Sequence, residues 1–138
     1  MKLTTIIHGI GLALSAALLT SVAADKGGGK IPPASDKKGV TYTADIKPIF
    51  DKSCIGCHGK DKQKGKLRLD TYEGISKGGE DGKIFEAGKS ADAMVVKAVA
   101  RVVEDDAMPP ADNKDKIPPL TPAQVGLIRA WIDQGGKK

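Results

Sequence analysis

From residue 42 to residue 136 the apolar positions recur at intervals of three and four, the period of helices that each bury one face. Ile46, Ile49, Phe50, Ser53, Cys54 and Cys57 keep that spacing, which predicts a first helix carrying its apolar face into the cysteine pair. Pro48 is tolerated only in a first turn, so the regular helix starts near it, with Thr43 to Lys47 as the entry. Gly56 and Gly59 loosen the far end. Leu67-Arg68-Leu69 reads as a short extended piece, and Asp70-Thr71-Tyr72-Glu73 has the form of a capping box before a turn or two of helix around Ile75. Ser90 is placed to cap a third helix running to about Val103, with Met94, Val95, Ala98, Val99 and Val102 on its apolar face. The last helix has the sharpest limits: Thr121 as cap, Pro122 in the first position, Gln124 closing the box, and Gly135-Gly136 as the stop. Its inward face is Val125, Ile128, Trp131 and Ile132, with Trp131 as core. The pattern is that of an all-α domain over 42–136.

The chain before that domain has a different texture. Lys2, the apolar run from Ile6 to Leu19 and the small residues Ser21-Val22-Ala23-Ala24 read as a signal peptide over 1–24. The competing reading is an uncleaved membrane anchor, for which the run is short. Residues 25–41 are Gly, Pro and charge without apolar period, and read as a flexible leader. Composition adds a constraint on the core. With one Trp, two Tyr and two Phe beside 17 Gly and 8 Pro, the polypeptide has little aromatic mass to bury, and a bound apolar cofactor would supply some.

Cys54-Ile55-Gly56-Cys57-His58 points to that cofactor. The C-x-x-C-H spacing sets two thiols one helical turn apart, able to add to the two vinyl groups on one porphyrin edge, and turns the adjacent imidazole under the iron. A thioredoxin-like dithiol would sit at a strand-to-helix junction, and no Val/Ile-rich strand precedes Cys54. Structural zinc would need four ligands, and beyond these three the chain adds only His8. A Cys54–Cys57 disulfide would close too small a loop to constrain much chain. The adjacent His58 is what those three readings fail to use.

What holds the opposite side of the iron decides the function. Once residues 1–24 are removed no second histidine remains, and the neutral soft donors left are the thioethers of Met94 and Met108. Met94 falls at apolar helical spacing, where methionine is ordinary core filling. Met108 stands in a polar loop, and Pro109-Pro110 stiffens the chain behind it so that the thioether can be held in one place. Opposite His58, Met108 is therefore the favoured ligand and Met94 the alternative.

The net charge of +5 is unevenly spread. Lys52, Lys60, Lys62, Lys64, Lys66 and Arg68 stand against Asp61 alone, next to the cysteine motif. These lysines are either a solvated loop or a basic collar that steers an acidic redox partner. Without aromatic interleaving, the run does not read as a nucleic-acid surface.

The stretch from Tyr42 to Gly135 resembles the planctomycete-type cytochrome c domain, a small class I-like c-type cytochrome. The pieces that carry the resemblance are Asp45-Ile46-Lys47-Pro48-Ile49-Phe50, Cys54-Ile55-Gly56-Cys57-His58-Gly59, Leu67-Arg68-Leu69-Asp70, Lys89-Ser90, Met108-Pro109-Pro110, Leu120-Thr121 and Trp131-Ile132-Asp133-Gln134-Gly135. The resemblance implies an all-helical fold around one covalent haem c, with the first and last helices crossing beside it. It also implies His58 and Met108 as axial ligands, attachment outside the bacterial cytoplasmic membrane, and electron transfer with redox proteins rather than catalysis. A sensor or enzyme with an open sixth position, and a subunit of a periplasmic dehydrogenase, are the competing functions.

Overall fold

The structure, a computed structural model, describes residues 29–138. The expected signal peptide over 1–24 lies outside the described residues. Thr41 opens the helical part: it is extended, its hydroxyl accepts from Ala44 N–H, and its own N–H donates to the Asp45 carboxylate. A wide π-helical turn, Tyr42–Ile46, then leads into α1 (Lys47–Ser53), with Pro48 in the first turn where no N–H is missed. α1 stops where Cys54 leaves helical geometry at φ −128°, and α2 (Ile55–His58) follows at once. The remaining helices are α3 (Tyr72–Lys77), α4 (Met94–Val99) and α5 (Pro122–Asp133), with a tight 3-10 turn at Lys64–Lys66. Among the described residues there is no strand, only isolated bridges at His58–Gln63 and Gly79–Gly82. No helix among them is long and apolar enough to cross a membrane.

α5 is the spine of the core. Its capping box forms as the sequence predicts: Thr121 Oγ1 accepts from Gln124 N–H while Gln124 Oε1 accepts from Thr121 N–H. Val125, Ile128, Trp131 and Ile132 are buried along one side, and the turn Tyr42–Ile46 and α4 both pack on this helix. The few aromatic residues are concentrated here. Trp131, at 0 % exposure, lies 4.7 Å from the Phe85 ring and 6.1 Å from the Tyr42 ring, which in turn lies 5.8 Å from Tyr72. Each polar tip is satisfied: Trp131 Nε1 donates to Lys137 O, Tyr42 OH to Leu69 O, and Tyr72 OH to Gly136 O. Phe50 from α1 and Ile75 from α3 complete the same cluster.

Three elements depart from the sequence-based expectation. The cap of α3 is Thr71, whose hydroxyl accepts from Gly74 N–H; Asp70 is unavailable because Arg68 grips its carboxylate through Nε at 2.9 Å and Nη2 at 2.6 Å. α4 is shorter than the stretch from Ser90 to Val103. Ser90 is buried and spent on α5 instead, its N–H and Oγ–H donating to the Asp133 carboxylate and its Oγ accepting from Arg129 Nε. The far end is set by Arg101, whose φ of +58° cannot continue a right-handed helix. Lastly, the segment expected as a flexible leader is strapped to α5 from Ile31 onward. Ser35 N–H donates to Gly126 O at 2.9 Å, Gln134 Nε2 donates to Lys37 O at 2.8 Å, and Val40 is a core residue. A Cβ on Gly126 would sit 2.7 Å from the Pro33 carbonyl oxygen, so this glycine is what lets the strap lie against the helix.

Candidate haem-attachment site

Helix α1 delivers Cys54 at its end, with Cys54 N–H still donating to Phe50 O at 2.8 Å. The Cys54 carbonyl then accepts from both Cys57 N–H at 3.1 Å and His58 N–H at 2.9 Å, closing the turn that sets the second thiol and the imidazole one step beyond the first. Both cysteines are unbonded and half-buried. Burial, and secondarily the neighbouring Cys57, pushes the Cys54 thiol up to about 12. That is the opposite of the depressed thiol on which dithiol exchange depends. Gly59 ends the motif because the chain must fold back beneath Ile55: a Cβ there would lie 2.5 Å from the Ile55 carbonyl oxygen.

The returning loop holds the imidazole. Gly59 N–H donates to Lys62 O at 2.8 Å and Lys66 N–H to Gln63 O at 2.9 Å, and Leu69 N–H reaches back to His58 O at 2.7 Å. Within this frame His58 Nδ1 lies 3.1 Å from Lys64 O. A carbonyl can only accept, so the tautomer consistent with this bond carries its proton on Nδ1 and leaves the Nε2 lone pair for a metal. Burial lowers the ring's pKa below its ordinary value, against the opposing pull of the Lys64 and Leu67 carbonyls, which favours the neutral ring that ligation needs. Two thiols one turn apart, followed directly by an oriented imidazole nitrogen, fit the attachment edge and the proximal side of a haem.

The Met-Pro-Pro segment follows the end of α4 and is held there by its own set of hydrogen bonds. Met108 N–H donates to Ala98 O at the end of α4, and the side chain is half-buried. Arg101 Nη1 donates to Pro109 O at 2.7 Å, fixing the residue that follows. Asn113 ties the next turn, its Nδ2 donating to Pro110 O and Ile117 O while its Oδ1 accepts from Ile117 N–H. Further along, the Asp115 side chain reaches the cysteine motif: its Oδ2 lies 3.5 Å from the point that a Gly56 Cβ would occupy. Met94 goes elsewhere. It is 44 % exposed, because α4 turns Val95, Val96, Ala98 and Val99 inward, and it borders a hollow of about 300 Å³ beside Ile84, Phe85 and Ala93 that includes no residue of the motif. The expectation that Met94 is core filling is therefore corrected.

Sequence reasoning missed the Lys64 carbonyl, Arg101 and Asn113. A backbone acceptor has no sequence signal, but an Asn three residues after Pro110, in a stretch of Asp, Lys and Pro, is a readable turn organiser. Of the basic run, Arg68 is paired with Asp70, and Lys66 lies 3.9 Å from Glu80. Lys52, Lys60, Lys62 and Lys64 are exposed and make no ion pair among the described residues. Nor do three Cys, His, Asp or Glu side chains gather among those residues as a metal site, which leaves structural zinc no ligand set there.

Among the described residues, helices without strands carry two thiols one turn apart and a preset imidazole, an arrangement that suits a c-type haem site. Residues 54–112 match the family model described as Planctomycete cytochrome C, which bears out the resemblance over the stretch from Cys54 to just beyond Met108-Pro109-Pro110. α1 and α5 lie outside the matched residues. No curated protein and no solved structure matches the chain.

Proposed function

We propose that the chain is an exported electron carrier with one covalent haem c, ligated by His58 Nε2 and Met108 Sδ. The observation that carries this reading is the hydrogen bond between His58 Nδ1 and Lys64 O beside two unbonded cysteines, since it orients the other ring nitrogen as a ligand. The chain has only the cysteines of a single C-x-x-C-H, which supports one attachment site. When bound, haem iron supplies reversible one-electron chemistry. The residues do the rest. Cys54 and Cys57 hold the porphyrin edge, the Lys64 carbonyl fixes the imidazole, and Arg101 with Asn113 holds the loop on which Met108 sits. The exposed Lys52, Lys60, Lys62 and Lys64 favour a redox partner with an acidic docking surface. Export follows the signal peptide read over 1–24, and the folded domain extends from about Ile31 to Gly136.

The ferric absorption spectrum tests the ligand pair. His/Met ligation gives a weak long-wavelength sulfur-to-iron band, which should be lost in Met108→Ala and kept in Met94→Ala. Loss in Met94→Ala alone would reassign the ligand. A high-spin ferric spectrum of the unmodified protein would favour a sensor or enzyme with an open sixth position. A partner complex that persists at high salt would favour a dehydrogenase subunit.

A further inference from the structure

Arg101 carries the one buried side-chain polar atom, among the described residues, that finds no hydrogen-bond partner: its Nε. A buried donor without an acceptor is costly, more so when charged, so the arrangement calls for an explanation. The backbone points the same way. Arg101 holds a left-handed φ of +58°, which a residue with a side chain adopts at a cost, and that twist both ends α4 and turns the guanidinium across the Met108 loop. There Nη1 is satisfied by Pro109 O at 2.7 Å, while on the other edge of the fork Nε is buried without an acceptor and Nη2 makes no hydrogen bond among the described residues. That edge is the one that takes a carboxylate through two parallel N–H donors.

The loop itself contains three carboxylates, Glu104, Asp105 and Asp106, and all three are exposed and unpaired with Arg101. Among the described residues no carboxylate meets that edge, although candidates are close in sequence. A haem brings two propionate carboxylates with it. We infer that Arg101 is a cofactor-binding residue whose Nε–Nη2 edge receives a haem propionate, while its Nη1 holds the Met108 loop through Pro109 O. The inference rests on the haem reading above. It makes one guanidinium join the propionate side of the cofactor to the segment proposed to supply the sixth ligand.

Resonance Raman spectroscopy of the haem-loaded protein tests this, because the propionate bending mode drops in frequency when a propionate loses a hydrogen-bond donor. Arg101→Gln, which removes the charge and the fork, should shift that mode down. Arg101→Lys, which keeps the charge but offers no paired donors and is the variant more certain to fold, should shift it less. In both, the haem should remain covalently attached. A propionate mode unchanged in either folded variant overturns the inference, even if the long-wavelength sulfur band weakens, since that would leave Arg101 only its bond to Pro109 O. Failure of the haem reading gives a different result: the unmodified protein would yield no haemochrome in alkaline pyridine and no propionate mode at all.

Discussion

Cys54 and His58 are both pushed by burial toward their neutral forms, and that shared direction suits residues that await a cofactor rather than exchange protons with water. For Cys54 the consequence in the haem-free polypeptide is measurable. The folded thiol ionises only at about 12, above the ordinary thiol range, so the stability it contributes is complete below that range and lost as pH climbs toward 12. Alkylation by iodoacetamide, followed by peptide mass spectrometry, should modify Cys54 slowly at neutral pH and quickly once urea exposes it. Fast modification in the folded chain would show that the thiol is not shielded. Gly59 makes a second prediction at this scale. Adding a Cβ drives it to 2.5 Å from the Ile55 carbonyl oxygen, a backbone atom that cannot swing away. Gly59→Ala should lose roughly 1–3 kcal/mol of stability in a thermal melt, as overpacked sites do, and lower the yield of haem-loaded protein. Cys54, Cys57, His58 and Met108 stand out in the sequence because each residue type is rare in this chain and sits in a specific local pattern. Arg101 was not, since nothing local distinguishes an arginine with an unpaired buried nitrogen from one in water.

Among the elements, α5 was readable to the residue and α4 was not, and the difference lies in where each element's partners sit. Every signal that bounds α5, from Thr121 and Pro122 through Gln124 to Gly135-Gly136, acts within a few residues of the helix end. Thr121→Ala should accordingly cost about 1 kcal/mol, the usual worth of a cap, read from chemical denaturation. Ser90 looks equally like a cap, but its partners Asp133 and Arg129 are on another helix, so its tertiary role overrides its local one. The strap at 31–40 was opaque for the same reason. Its Gly, Pro and charge have no period, and what orders it is a set of hydrogen bonds to Gly126, Arg129 and Gln134 of α5 and the residue after it. Gly126→Ala should therefore act at a distance from the haem motif: about 1–3 kcal/mol of stability lost, and faster proteolysis within 31–40. Cleavage there unchanged from the original chain would mean that Gly126 does not hold the strap.

For the molecule as a whole, the aromatic poverty read from composition is offset by gathering Tyr42, Tyr72 and Phe85 around Trp131 of α5, in the same core against which Cys54 packs. Ile55 within the motif, and Leu67, Val102, Val103, Met108 and Ile117 elsewhere in the chain, are only half-buried, so a bound porphyrin could add contacts that the polypeptide lacks. Unpaired lysines sit at 52 and 60–64 beside the motif, so transfer to an acidic partner should slow by about 10-fold or more when salt is raised from low to physiological strength. Charge reversal at Lys60, Lys62 and Lys64 should remove most of that dependence in stopped-flow traces, and a rate indifferent to salt in the original chain would contradict the steering role. The most direct measurement is the intact mass of the protein secreted by a host that matures c-type cytochromes. The expected result is the processed polypeptide plus a single haem, absent when Cys54 and Cys57 are both changed to Ala; unmodified polypeptide alone from the original chain would contradict covalent haem at this site.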